Sequence, residues 1–308
     1  MQDNFQWTGR DDGQDPSYLR FHQLMNQAKQ HNEAGYALIG FCSDEGVKRN
    51  HGRIGAAKAP DLIRKQLANL PVHHYVAVQD MGNVYCADSE LEQAQARLAD
   101  QVAHSLAQGH RPIVLGGGHE VAFGSFSGIF QYMQQQHPQQ RIGIINFDAH
   151  FDLRQHDVAT SGTPFLQAAN LSQAHGKDFH YMCLGVARHA NTRHLFETAD
   201  QLNCHYVFDY EIHAASLNKV TQHLDQFIAQ VDVLYVTVDL DVFSASIAPG
   251  VSAPAVRGID VACFDTLFQH IKHTDKIRVL DIAECNPIYD IDQHTAKLAA
   301  YIAYNYMF

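Results

Sequence analysis

The sequence predicts an α/β fold with a parallel sheet that is covered by helices on both faces. Short apolar runs alternate with longer amphipathic stretches, which is the pattern of parallel strands joined by crossover helices. No Pro-, Gly- or Ser-rich linker divides the chain, and no internal repeat is visible. We therefore expect one domain over residues 1–308, with an N-terminal extension and the first helix in residues 1–30. The apolar runs lie at 36–41, 74–78, 112–116, 142–147, 180–186, 205–208, 233–238 and 276–282.

The segment 89–108 shows the helical pattern between two of these runs. Ser89 and Glu92 have the spacing of a capping box, in which each side chain bonds to the other residue's backbone N–H at a helix start. Gly109 follows at a position where helices usually end. The polar segment 131–140 is typical of a helix end that runs into a loop.

Composition and charge exclude several classes of function. The chain is 46% apolar, which is enough for a sizeable core. Its 22 basic and 33 acidic side chains give a net charge of −11, so we expect neither nucleic acid nor an anionic membrane as a partner. The first twenty residues lack the apolar core of a signal peptide, and no run approaches the length of a membrane span. A cytoplasmic location is the expectation.

Residues 142–154 read IGIINFDAHFDLR, an apolar run that ends in Asp148, His150 and Asp152. These three groups would be costly to bury alone. Alternate side chains of an extended chain point the same way, so the three can converge if the strand geometry continues. Because ligands of open α/β sheets bind beyond the carboxyl ends of the strands, we expect a functional site here.

Similar residues follow three other predicted strands. Asp239 and Asp241 lie two positions apart after VLYVTV, and Glu284 lies near the end of the last strand. His119 follows the three glycines of VLGGGHE. These glycines do not fit the dinucleotide motif G-x-G-x-x-G, because Val121 occupies its third glycine position. We expect them instead to form a sharp turn that brings His119 to the site.

The clustered acids predict a metal centre. A single aspartate after a strand is usually a helix cap or a turn residue, but here the same spacing recurs at several strand ends. Four carboxylates in a crevice of low dielectric could not all stay ionised without strong positive charge. Two histidines and four aspartates exceed what one tetrahedral zinc needs, and the oxygen-rich set favours manganese. We predict two Mn²⁺ ions per chain, bound by His119, Asp148, His150, Asp152, Asp239 and Asp241.

Six motifs in a fixed order support this interpretation: G-R-I-G-A-A-K-A-P-D-L-I-R (52–64), G-G-G-H ending at His119, D-A-H-F-D (148–152), V-D-L-D (238–241), P-G (249–250) and E-C-N-P (284–287). Together they resemble the ureohydrolases, the family of arginases, agmatinases and formimidoylglutamases. The resemblance implies a three-layer α/β/α arginase-like domain on an eight-stranded parallel sheet. It also implies that His119, Asp148, Asp152 and Asp239 bind one ion, and that Asp148, His150, Asp239 and Asp241 bind the other.

The resemblance implies a mechanism as well. Asp148 and Asp239 would bridge the ions, and a hydroxide between the metals would attack the carbon of an amidine-like group, guanidinium or formimidoyl. Asp241 would carry a proton to the leaving nitrogen. Glu284 would pair with the cationic N–C–N fragment of the substrate.

Three segments narrow the substrate. Where arginases carry a histidine before Gly-Gln-Pro, this chain has T-S-G-T-P-F, which places Ser161 at that site. The segments W-T-G-R-D-D (7–12), S-G-T-P-F (161–165) and G-V-A-R-H-A-N-T-R-H-L-F (185–196) resemble the formimidoylglutamases of histidine degradation. The expected reaction is therefore hydrolysis of N-formimidoyl-L-glutamate to L-glutamate and formamide.

Such a substrate has two carboxylates distant from the reacting carbon, so its pocket needs guanidinium partners. We expect Arg188 and Asn191 to contact it, followed by Arg154 and Ser161. The alternative is that these arginines pair with surface carboxylates or neighbouring subunits. Chains that resemble this one often form homo-oligomers, which we expect here.

Three other functions stay open. The chain could be a ureohydrolase that releases urea from agmatine, guanidinobutyrate or arginine. It could be a metal-binding protein without turnover, although Asp241 and Glu284 argue against this. A single-zinc deacylase is disfavoured, because the additional carboxylates would have no purpose around one ion.

Overall fold

The computed structural model describes residues 5–13, 15–28 and 33–308, and its centre is one parallel sheet of eight strands. The strands lie in the order β2-β1-β3-β8-β7-β4-β5-β6, and every neighbouring pair is parallel. They span β1 (Tyr36–Cys42), β2 (Val78–Tyr85), β3 (Arg111–Leu115), β4 (Ile142–Phe147), β5 (His180–Val186), β6 (His205–Phe208), β7 (Val233–Asp239) and β8 (Ile277–Ala283).

Helices cover both faces of this sheet. The helices are α1 (Phe21–Ala28), α2 (Glu45–Arg49), α3 (Ala59–Leu67), α4 (Leu91–Ala107), α5 (Val121–Gln136), α6 (Pro164–Ala174), α7 (Arg193–Gln201), α8 (Leu217–Ile228), α9 (Val261–His273) and α10 (His294–Met307). Apolar side chains of α1, α3, α8, α9 and α10 pack on one face of the sheet, with Leu38 and the other strand side chains of that face. Those of α4, α5, α6 and α7 pack on the other face, with Ile39 and its neighbours there. The predicted three-layer α/β/α fold is thus confirmed.

The first helix, α1, lies within the predicted N-terminal extension of residues 1–30. Residues 1–4, 14, 29 and 30 of that prediction lie outside the described part of the chain. Among the described residues, no helix combines the length and the apolar character needed to cross a bilayer.

The structure corrects one predicted strand. Seven of the predicted runs coincide with strands, but β2 begins at Val78, where the run 74–78 was expected to end. β2 lies at the edge of the sheet and reads VQDMGNVY, so few of its side chains are buried and its apolar signal is weak. The residues before it form a loop in which Val76 packs against the core.

The predicted capping box of α4 is also wrong. The hydroxyl of Ser89 donates to Glu45 at 3.1 Å, and the carboxylate of Glu92 accepts from Arg49 at 2.7 Å. Both side chains therefore tie the start of α4 to α2 rather than to the backbone of α4. The end of the helix agrees with the prediction, because Gly109 follows it with a φ of 83°.

A buried guanidinium fastens the edge strand to α3. The side chain of Arg64 is 0% exposed and bonds to both oxygens of Asp80, at 3.1 and 2.8 Å. It also donates to the side chain of Asn83 and to the carbonyl of Gly82. The indole N–H of Trp7 donates to the same Asp80 carboxylate at 2.9 Å. This cluster therefore joins the N-terminal segment, α3 and β2.

We expect Arg64→Ala to lower the free energy of unfolding by about 3–5 kcal/mol, because it leaves the partly buried carboxylate of Asp80 without its guanidinium. Urea unfolding of the purified protein measures this. The neighbouring, exposed Lys65 gives the control, since Lys65→Ala should change stability by less than about 0.5 kcal/mol. Equal effects of the two substitutions would contradict the prediction.

Candidate metal centre

The predicted site residues lie at the carboxyl ends of the four central strands. β3, β8, β7 and β4 are consecutive neighbours in the sheet, although they come from distant parts of the chain. His119 follows β3, Asp148 follows β4, Asp239 ends β7 and Glu284 follows β8. The fold therefore gathers all four segments at the edge where open α/β sheets bind ligands.

The glycine turn before His119 is set by a close approach of two backbones. A Cβ atom on Gly117 would lie 1.7 Å from the carbonyl oxygen of Ser43, so no residue with a side chain fits at this position. The N–H of Gly118 donates to the same carbonyl at 3.0 Å. The predicted turn is thus present, and glycine is required here by lack of space rather than by a positive φ.

The segment after β4 places three side chains on one side, as predicted, but not by continued strand geometry. β4 ends at Phe147, and the carboxylate of Asp148 accepts the N–H of His150 at 2.7 Å. Asp152 adopts a φ of 49°, in the left-handed region. Its Oδ2 atom lies 3.0 Å from Nδ1 of His119. A tight local turn, and not an extended chain, therefore brings the three side chains to the same side.

The segment after β7 is also a tight turn. Asp239 Oδ1 accepts the N–H of Asp241 at 2.8 Å, at the start of a 3₁₀ turn. Asp239 Oδ2 lies 3.1 Å from Nδ1 of His119, and Asp241 Oδ2 lies 3.1 Å from Nδ1 of His150. The two aspartates thus face different histidines.

The six side chains form two groups that share one residue. Asp148 belongs to both, because its Oδ2 lies 3.1 Å from Nδ1 of His119 and its Oδ1 lies 3.5 Å from Nδ1 of His150. Asp239 belongs to the first group, and its place in the second stays a prediction. The ligand atoms within each group lie within 4.8 Å of one another; the groups are His119, Asp148, Asp152 and Asp239, and Asp148, His150 and Asp241.

The ligand atoms surround common points instead of pairing with one another. Nδ1 of His119 has oxygens of three aspartates within 3.1 Å. Nevertheless, neither this atom nor Oδ1 of Asp241 makes a hydrogen bond within the described part of the chain, although both are buried. Buried polar atoms almost always have partners. The arrangement therefore fits cations, which accept lone pairs from several sides at once.

The pKa shifts of the acids point the same way. Burial raises the pKa of Asp239 well above its usual value, and the carboxylates of Asp241 and Asp148 raise it further. Burial also acts upward on the pKa of Asp148, but the adjacent imidazoles of His119 and His150, 3.1 and 3.5 Å away, hold it below the usual value. Without a cation, the aspartates could not all be ionised together, so a bound metal removes the conflict.

A cavity of about 320 Å³ opens above the two groups. Two predicted substrate residues, Arg154 and Ser161, line it. The hydroxyl of Ser161 accepts a hydrogen bond from the amide of Asn50 at 3.1 Å. Arg188 is exposed and is not among the lining residues.

Asn191 has a different place from the predicted substrate contact. Its side chain is 7% exposed and donates to the carbonyls of Ala149 and Ala187, at 2.8 and 3.0 Å. It also accepts the N–H of Phe151 at 3.0 Å. These bonds hold the loop that carries Asp148, so the structure gives Asn191 a supporting position beneath the site.

Further lining residues were not identified from the sequence. They are Asn50, His51, Gly52, Arg53, Ser252 and Ala253. Nε of Arg53 donates to the carbonyl of Ser252 at 2.9 Å, and its guanidinium stacks 4.2 Å from the ring centre of Tyr289. The sequence signal for Arg53 is the G-R-I-G motif at 52–55, which supports the family resemblance but does not by itself assign a role to the arginine.

Glu284 lines the cavity with one carboxylate oxygen already engaged. It has a φ of 66°, and its Oε1 accepts the N–H of His119 at 3.0 Å. Its Oε2 is buried and makes no hydrogen bond within the described part of the chain. Burial and the neighbouring Glu120 raise the pKa of Glu284 to about 8. A cationic partner in the cavity would stabilise its charged form.

The sequence model of the arginase family matches residues 34–308. The chain belongs to this family. The formimidoylglutamase of Chromobacterium violaceum is 47% identical over 97% of this chain and 96% of its own length. That of Aeromonas salmonicida is 49% identical over 96% and 94%. The predicted kinship with formimidoylglutamases is confirmed, and the chain is a hydrolase with a candidate binuclear metal site.

Solved structures of this family share the fold. The formiminoglutamase of Trypanosoma cruzi with Mn²⁺ has a TM-score of 0.80 at 25% identity, over 94% of this chain and 97% of that one. The formimidoylglutamase of Bacillus subtilis has a TM-score of 0.80 at 21% identity, over 90% and 87%. The predicted arginase-like architecture is thereby confirmed.

We expect Asp148→Ala to abolish binding of both ions, because Asp148 contributes an oxygen to each group. Metal analysis after equilibrium dialysis with Mn²⁺ measures the stoichiometry. Asp157→Ala is the matched control, since it removes an exposed carboxylate of the same loop and should leave metal content unchanged. Retention of two ions by Asp148→Ala would refute the shared role.

Proposed function

We propose that this chain is a cytoplasmic binuclear manganese hydrolase of histidine degradation, which cleaves N-formimidoyl-L-glutamate to L-glutamate and formamide. The main support is the convergence of two histidines and four aspartates beneath a cavity that also contains two arginines. The names of the relatives support the substrate. Ureohydrolase activity on a guanidino compound is the alternative.

In this proposal the first ion is held by His119, Asp148, Asp152 and Asp239, and the second by Asp148, His150, Asp239 and Asp241. Four carboxylates and two imidazoles are the hard, oxygen-rich set that favours Mn²⁺. When bound, the two ions would supply a nucleophile derived from water at neutral pH. Asp148 and Asp239 would be shared by the ions.

The side chains around the metals orient the substrate. The cationic N–C–N group donates to the carboxylate of Glu284, because this residue lines the cavity and its Oε2 has no partner within the described residues, while Oε1 accepts the N–H of His119. Oδ1 of Asp241 carries a proton to the α-nitrogen of glutamate as the bond between this nitrogen and the formimidoyl carbon breaks.

The opposite wall of the cavity binds the glutamate carboxylates. Arg154 is the first partner, because it lines the cavity beside Ser161 and presents a planar pair of N–H donors. The Asn50 amide orients the hydroxyl of Ser161, which can then donate to the same carboxylate. Arg53 also lines the cavity and adds a second guanidinium, which has donors left after its bonds to the carbonyls of Val251 and Ser252.

The reaction is tested with a panel of substrates. We expect the Mn²⁺-loaded protein to hydrolyse formimidoylglutamate and to leave arginine, agmatine and guanidinobutyrate intact, because only the first compound offers two carboxylates to the arginines. Formamide and urea are measured separately. Release of urea from a guanidino compound, with no formamide from formimidoylglutamate, would favour the alternative.

We expect Arg154→Ala to lower kcat/KM for formimidoylglutamate by about 10- to 100-fold, mainly through KM, since a hydrogen bond to a charged group is worth about 1.5–3 kcal/mol. Steady-state kinetics with measured metal content decide this. Arg193→Ala is the control, because the side chain of Arg193 is 92% exposed and pairs with Glu197 at 2.7 Å. A loss in Arg193→Ala equal to that in Arg154→Ala would contradict the assignment.

A further inference from the structure

A column of buried polar side chains lies behind His119, on the side away from the two groups of ligands. Nε2 of His119 lies 3.0 Å from the hydroxyl oxygen of Thr237. Thr237 on β7 is the direct neighbour of Asp281 on β8 in the register of the parallel strands. Thr237 and Asp281 are both 0% exposed, and His119 is 1% exposed.

Asp281 is an unusual residue for the middle of a central strand. A carboxylate in this position is costly unless it is well bonded. The hydroxyl of Tyr235 donates to its Oδ2 at 2.5 Å, but its Oδ1 is buried without a hydrogen bond within the described part of the chain. The sheet packing itself gives no reason for an acid at this position, because Leu280 and Ile282 flank it within β8 and Val114 is its neighbour on β3.

The hydrogen-bond directions follow from the role of His119. If Nδ1 binds a metal, the ring proton is on Nε2, so Nε2 donates to Thr237. The single hydroxyl hydrogen of Thr237 must then point to another acceptor. Oδ1 of Asp281 is the neighbouring oxygen that lacks a donor. Burial raises the pKa of Asp281, while His119 and the hydroxyls of Thr237, Tyr235 and Ser125 act in the opposite direction.

We propose that Asp281 is a positioning residue that acts on His119 through Thr237. The chain of donors runs from Nε2–H of His119 to Thr237, and from the Thr237 hydroxyl to Asp281. It fixes the tautomer that leaves the Nδ1 lone pair free for the metal, and the carboxylate increases the basicity of the imidazole. This inference rests on the proposed ligand role of His119 and is independent of the substrate.

The inference is tested by metal affinity without substrate. Thr237→Val removes the hydroxyl at nearly constant shape, and Asp281→Asn removes the charge. We expect each to weaken the binding of the ion at the His119 group by about 10- to 100-fold, the usual effect of losing a partner of a ligating histidine. Mn²⁺ titration gives the affinities, and electron paramagnetic resonance should show an isolated ion where the wild type shows a coupled pair.

Two further variants separate this role from a loss of packing. Thr237→Ser restores the hydroxyl and should recover most of the wild-type affinity. Ser172→Ala removes another buried hydroxyl, which donates to the carbonyl of Ala168 within α6, and should leave both affinities unchanged. Melting temperatures of the metal-free variants show whether any loss comes from the fold.

Wild-type affinity for both ions in Thr237→Val would overturn the inference, as would a Thr237→Ser variant that is as weak as Thr237→Val. If Asp281→Asn does not fold, Thr237→Val and Thr237→Ser still decide. A wild-type protein that binds two ions but does not hydrolyse formimidoylglutamate would refute the proposed substrate alone. A wild type that binds no Mn²⁺ would refute both.

Discussion

The mutual repulsion of four buried aspartates is the constraint on which the rest of this structure depends. Each carboxylate loses most of its hydration at the carboxyl ends of the central strands. Burial and the neighbouring carboxylates raise the pKa of Asp239, whereas the adjacent histidines keep the pKa of Asp148 low. Two divalent cations would balance four carboxylates in full. Their binding would account for how the fold tolerates these acids and for the ligand atoms that make no hydrogen bond to one another.

The architecture meets this constraint by distributing the ligands over the buried central strands of the sheet. The strands that deliver them are the four at the centre of the sheet, packed by helices on both faces. Short turns then aim the side chains, and their geometry is fixed by backbone contacts such as the one between Gly117 and Ser43. The hydrogen bonds of Asn191 to the backbone of the loop after β4 fix the geometry of that loop in the same way.

Sequence reasoning succeeded where one strong physical requirement shows in the spacing of residues. The buried central strands and the acids after them could be predicted because burial and charge leave a clear pattern. β2 could not, because an edge strand carries polar residues such as Asp80 and Asn83, whose partner is the buried Arg64. The substrate contact of Asn191 stays a prediction, and its bonds to the loop after β4 could not be predicted, since the target of a side-chain amide is decided by tertiary contacts.

The same charge balance bears on the choice of substrate. A protein of net charge −11 repels an anion at long range. If two divalent ions neutralise the four aspartates, the remaining charges that line the cavity are those of Glu284, Arg53 and Arg154. The two guanidinium groups then make the outer wall positive, while the acid remains close to the reacting carbon. Under the proposed function, this polarity would favour a molecule with a cationic amidine at one end and carboxylates at the other, and it would disfavour agmatine, which is cationic at both ends.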